Sequence, residues 1–172
     1  TLSSSSAASD VYKRQGQRKR VGLNALSDAA GLNAAPSAYH LGYVLGPRIN
    51  AGGRIGKADL GARLLACSNP HEAAVMAEKL EELNTERRSV EAMVRLAALE
   101  QAEARGLDLP LAWAAEEGWH PGVVGIVAAR LKEKTNRPAV VIGFDGDSGK
   151  GSGRSVSAVS YTHLRAHETR GN

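Results

Sequence analysis

The sequence predicts a mixed α/β fold built in two parts around one long helix, and three observations predict it. From His71 to Arg105 no glycine or proline interrupts the chain, while Asn69-Pro70 precedes that run and Gly106 follows it. Downstream, apolar segments at 109–115 and 138–143 flank a helical period at 123–134, the pattern of a βαβ unit. Upstream, short helical periods surround the stretch LGPRINAGGRIGK at 45–57, which holds four glycines, a proline, two arginines and an asparagine.

Residues 23–30 form a short helix with Leu23, Leu26 and Ala30 on one face, and Gly31 stands where a left-handed residue ends it. Ser37 is the N-cap of a second helix reaching Leu45, with Tyr39 and Tyr43 one turn apart. The 45–57 stretch reads as a loop. Glycines there let a ligand approach the main chain, consecutive N–H groups make a concave anion site, and guanidinium forks grip phosphate. Arg48, Asn50 and Arg54 are therefore candidate phosphate contacts; the alternative is a connector with solvated arginines. Residues 58–66 form a third short helix carrying Leu60, Leu64 and Leu65.

Asn69, Pro70 and Glu72 then supply cap, first position and capping box for a helix through Arg105, on the order of 50 Å long. Its expected seam is Met76, Leu80, Leu83, Arg87, Val90, Val94 and Ala97, a narrow stripe that suits a strut between two domains. Arg87 interrupts that stripe, either as an ion-paired or snorkelling side chain or as a functional one.

Beyond Gly106, the continuous apolar run at 138–143 suits a strand covered on both faces. Glu117-Gly118-Trp119-His120-Pro121-Gly122 lies at the carboxyl end of the preceding strand, where open α/β sheets bind ligands and where the next helix offers its N–H groups. His120 is a candidate phosphate ligand or proton donor. In Lys150-Gly151-Ser152-Gly153-Arg154-Ser155, Ser152 and Arg154 are two apart, so on a strand they share a face.

The formal charge is +4, but each end of the chain contributes one net positive charge, so a bulk basic field is weak and only local Arg and Lys clusters carry a nucleic-acid argument. Residues 1–15 and 159–172 are aperiodic and polar and read as adaptor-like tails, which removes His163 and His167 from metal chemistry. Cys67 is the only cysteine, which excludes an internal disulfide and fits a reducing compartment. No apolar run approaches the ~20 residues of a membrane span. Within 16–158, Asp28, Asp59 and Asp108 are scattered and Asp145 and Asp147 sit in a turn, so no metal cluster, Walker loop, GxSxG elbow or zinc spacing is legible.

Four blocks in this order, GPRINAGGRIG at 46–56, the long helix with LNTERR at 83–88, GWHPGVVGIVAARL at 118–131 and KGSGRS at 150–155, resemble the RecJ family of the DHH/DHHA1 phosphoesterase superfamily. Gly52 and Gly153 stand where that family usually carries alanine. The resemblance implies that 16–67 is the C-terminal end of a DHH domain, 68–106 a connector helix and 107–158 a truncated DHHA1 α/β domain. It implies a 5′→3′ exonuclease acting on single-stranded DNA in repair and recombination, cytoplasmic, bacterial and monomeric. Its Mn²⁺ or Mg²⁺ would be held by aspartate-rich and DHH motifs that have no counterpart in this chain. By matching blocks it implies that Arg48, Asn50, Arg54, His120, Ser152 and Arg154 contact DNA phosphates, with none of them catalytic. The alternatives are a DHH-type phosphoesterase of short oligonucleotides or cyclic dinucleotides, which the GWHPG block speaks against, and a non-catalytic nucleic-acid-binding DHHA1 module.

Overall fold

The computed structural model describes residues 20–157. The two adaptor-like ends, with His163 and His167, lie outside the described residues. The chain divides into two compact units, the first ending at Arg87 and the second beginning at Arg88. Each has its own apolar core.

In the first unit, helix α1 (Val21–Ala29) ends as its sequence requires: Gly31 takes φ +70°, and the Gly31 and Leu32 N–H groups donate back to Asp28 and Ser27 carbonyls at 2.9 Å. A π-helical stretch, His40–Leu45, then runs without a break into α2 (Gly46–Ile55). The glycine-rich segment is thus a helix and not the expected loop. The wide π turn accounts for this, since Pro47 has no N–H to donate and its ring would crowd a normal preceding turn. None of the glycines from 46 to 56 has positive φ. What they supply is thinness: a Cβ on Gly52 would come within 3.3 Å of Leu80 Cδ2, and one on Gly56 within 2.7 Å of Leu83 Cδ1. Helix α3 (Leu60–Ala66) completes the unit, whose core is Leu26, Leu45, Leu64, Ala73, Ala77 and Leu80.

Helix α4 (Pro70–Arg105) is continuous over its 36 residues and shared by both units. Asn69 Oδ1 accepts from the N–H groups of His71 (3.0 Å) and Glu72 (3.4 Å), while Glu72 accepts from the Asn69 side-chain amide at 3.1 Å in a variant of the capping box. Asn69→Ala should lower stability by about 1 kcal/mol in a urea melt. The buried stripe is not quite the expected seam. Leu80, Leu83, Arg87 and Val94 of that seam are buried, joined by Ala73, Ala77, Asn84, Ala98 and Ala102, whereas Met76, Val90 and Ala97 are only partly covered. Alanines at the contact allow close approach of the neighbouring elements, so the stripe is rotated by about one position toward them. Arg87 is buried and donates to Asn84 Oδ1 at 3.1 Å.

The second unit is a three-stranded sheet in the order β1-β2-β3, built from β1 (Ala112–Glu117), α5 (Pro121–Thr135), β2 (Ala139–Asp145) and β3 (Ser148–Arg154). β1 and β2 are parallel, with Ala112 opposite Ala139, so the βαβ unit is present; β3 returns antiparallel, with Ser152 opposite Val141. β1 starts three residues later than the expected 109, because Pro110 cannot donate to a ladder. One face of the sheet, Ala112, Ala114, Ala139 and Val141, packs with Val123, Val127 and Leu131 of α5 and with Ala98 and Ala102 of α4. The expected burial of β2 on both faces is not observed. Val140 and Ile142 are half-buried and Phe144 is exposed, because the opposing β3 positions are Gly153, Gly151 and Gly149, which cover little. The outer edge of β1 is closed by side chains of α4. Gln101 bonds both the N–H (3.1 Å) and the C=O (3.3 Å) of Ala115, and Arg105 donates to the Trp113 carbonyl while lying 3.9 Å over its ring.

Candidate nucleic-acid interface

In the first unit, helix α2 sorts its three candidate residues by its own period. Asn50 and Arg54, four apart, share the exposed face. Arg48 points the other way, toward α4, where Nε and Nη2 form a forked pair with the Glu81 carboxylate and Nη1 donates to the Val44 carbonyl at 2.7 Å. Three of its five N–H donors are therefore committed within the unit. Glu81 is the residue the sequence did not single out. The available signal was an acidic side chain one position from the buried Leu80, on the helix that α2 packs against.

The N–H groups of the glycine-rich segment are turned along the helix axis and occupied by helical bonds, so they do not form the expected concave anion site. What remains there is a side-chain surface.

In the second unit α5 relates the candidates: His120 stands at its start, and Ser152 and Arg154 lie against Gly125 one turn further on. His120 is its N-cap: Nδ1 accepts the Gly122 N–H at 3.0 Å, which leaves Nε2, on an exposed ring, as the nitrogen that bears hydrogen in the neutral form. Trp119, just before it, is buried in the core, and the N–H of Gly118 is tied to the Phe144 carbonyl at 2.9 Å. The Glu117 carboxylate accepts from Gly146 N–H in the β2–β3 turn at 3.0 Å, so the segment carrying His120 is held from both sides.

Ser152 and Arg154 do share a face of β3. Arg154 Nη1 donates to Ser152 Oγ at 2.9 Å and to the Gly153 carbonyl at 2.8 Å. Both side chains lie against Gly125, one turn into α5, where an added Cβ would sit 3.2 Å from Arg154 Nη2 and from Ser152 Oγ. A guanidinium and a hydroxyl side by side, with no side chain on Gly125 to cover them, are a chemistry suited to an oxyanion. Among the described residues, no three of His, Cys, Asp and Glu gather closely enough to hold a metal ion. No helix among them is long and apolar enough to cross a membrane.

Comparison with known proteins follows the same outline. The DHHA1 domain family matches residues 108–168. The single-stranded-DNA-specific exonuclease RecJ of Dickeya dadantii is 41% identical over 152 residues, which is 85% of this chain and 26% of that protein. The Bacillus subtilis protein of the same name is 38% identical over 147 residues, 84% of this chain and 19% of its relative. Among solved structures, RecJ of Thermus thermophilus in complex with Mn²⁺ superposes with a TM-score of 0.76 at 31% identity, over 91% of this chain and 23% of that one. An exonuclease RecJ bound to manganese gives 0.77 at 32% identity, over 91% of this chain and 39% of that one. The chain thus spans about a quarter of the length of the first of these curated relatives.

Proposed function

We propose that the chain belongs to the RecJ family, on its likeness to the relatives above, and that it is the strand-gripping portion of a single-stranded-DNA-specific 5′→3′ exonuclease. In this reading 16–67 closes a DHH domain, 68–106 connects, and 107–158 opens a DHHA1 domain. A divalent ion, Mn²⁺ or Mg²⁺, supplies activated water when bound, and the ions in the solved relatives support that choice. Its ligands belong to a part of the protein outside the residues described, so the side chains of this chain bind and orient the strand. Asn50 and Arg54 on the open face of α2, with the remaining donors of Arg48, hold backbone phosphates without reading sequence. The protein works as a cytoplasmic monomer in DNA repair and recombination.

The observation that carries the reading is the Ser152–Arg154 pair set against Gly125 on α5. It fits a terminal phosphate, with the exposed Nε2 of His120 as a further donor at the same helix start. The test is binding of 5′-phosphorylated and 5′-hydroxyl oligonucleotides. Arg154→Ala should abolish a preference for the phosphorylated end that is on the order of tenfold, the worth of a charge-assisted contact. A preference that survives the substitution overturns the assignment of Arg154.

A further inference from the structure

We propose that Tyr39 and Tyr43 form a base-stacking platform for single-stranded nucleic acid, a contact distinct from the phosphate contacts above; this rests on the nucleic-acid reading of α2. The two rings are stacked on each other, with centroids 5.1 Å apart and planes 27° apart. Yet they are 65% and 74% exposed, in a chain where aromatic residues make up only 4% of the sequence. Large rings packed on one another but not into a core leave an outer π-face in water, and any base can extend such a stack.

The pair is held in place beforehand. The Ser37 N–H donates to His40 Nδ1 at 3.0 Å, and the fixed His40 ring meets Tyr39 edge-on at 5.9 Å and 75°. Beside the rings the surface is bare: Gly42 lies on the same face, and a Cβ there would meet nothing within 4 Å.

Continuity with the phosphate face names the occupant. The helical run from the π stretch through α2 is unbroken, and its exposed residues repeat as Tyr39, Gly42, Tyr43 and, two turns on, Asn50, Gly53, Arg54. Gly53 is as open as Gly42. Aromatic faces at one end and an amide and a guanidinium at the other, on the order of 20 Å overall, match a strand whose bases lie on the first and whose backbone crosses the second. A duplex hides its base faces, so the platform selects unpaired nucleotides.

The test uses the full chain and a labelled oligothymidylate of about 12 nucleotides, within the usual site sizes, followed by fluorescence anisotropy. An abasic oligomer with the same number of phosphates should bind on the order of tenfold more weakly to the unsubstituted chain. Tyr39→Leu with Tyr43→Leu should weaken oligothymidylate binding by a similar factor and leave abasic binding unchanged, and Tyr→Phe at both positions should restore it. Equal affinity for the two oligomers, or full affinity in the leucine chain, overturns the platform while leaving the phosphate reading standing. Failure of the unsubstituted chain to bind either oligomer overturns both.

Discussion

Gly143→Ala is expected to destabilise the second unit by about 3 kcal/mol or more, the upper end of what overpacking does in a core. A Cβ at this position would lie 2.0 Å from the Trp119 carbonyl oxygen and 2.9 Å from its carbonyl carbon. These are backbone atoms, and they cannot rotate away. Relief requires β2 to separate from the segment 118–120, which is pinned by the Gly118–Phe144 bond and by the burial of the Trp119 ring. Moving that segment also moves His120, the cap of α5. For a unit of this size the melting temperature should fall by roughly 12 °C or more. The check is straightforward because Trp113 and Trp119 are the only tryptophans and both belong to the second unit, so their emission follows that unit alone. Gly153→Ala on β3 is the matched control. There the nearest atom to an added Cβ is 3.8 Å away, and the melt should shift by no more than a few degrees. An unchanged midpoint for Gly143→Ala would mean that β2 and the Trp119 segment are not in contact.

Caps and stops are local, and they were legible in the sequence: Gly31, Asn69 and Gly106 end or begin helices where their chemistry demands. The long helix and the βαβ pattern followed from period and interruption alone. Misread were the properties set by partners distant in sequence. The 45–57 stretch carries every local mark of a turn, but Gly52 and Gly56 are there for the closeness of Leu80 and Leu83, some thirty residues on, and the stretch becomes helical once packed. The strand at 138–143 reads as buried on both sides because its own residues are apolar, whereas coverage depends on what faces it, and three glycines of β3 cover little. In the candidate interface, the pairing of Ser152 with Arg154 was visible from alternation along a strand. The position of Gly125 beneath them was not, since it depends on how α5 lies on the sheet. The family's usual alanine fits this chain differently at two places. Position 153 has room for a methyl group, while at Gly52 the Lys57 carbonyl oxygen would be 3.0 Å away and α2 would have to shift slightly.

Arg48 is the residue on which a structural and a binding role meet, and two substitutions separate them. Its side chain is 15% exposed, and its guanidinium is paired in a fork with the carboxylate of Glu81, whose side chain is 32% exposed. Glu81→Ala leaves a largely covered cation with only the Val44 carbonyl, so stability should fall by about 1–3 kcal/mol, less than for a fully buried pair because water reaches the carboxylate side. Arg48→Ala removes the same fastening between α2 and α4 and should cost about as much. Binding distinguishes the two. If the uncommitted donors of Arg48 hold a phosphate, Arg48→Ala reduces the slope of log affinity against log salt by about 0.7, one contact's worth for a single strand. Glu81→Ala, by contrast, keeps the cation and removes a competing anion, so affinity for an oligonucleotide should hold or tighten while the melt falls. Opposite movements of stability and affinity in the Glu81 chain, together with a joint loss in the Arg48 chain, are therefore expected. Identical behaviour of the two chains in both measurements would reduce Arg48 to a tie between helices and leave Asn50 and Arg54 as the phosphate contacts of α2.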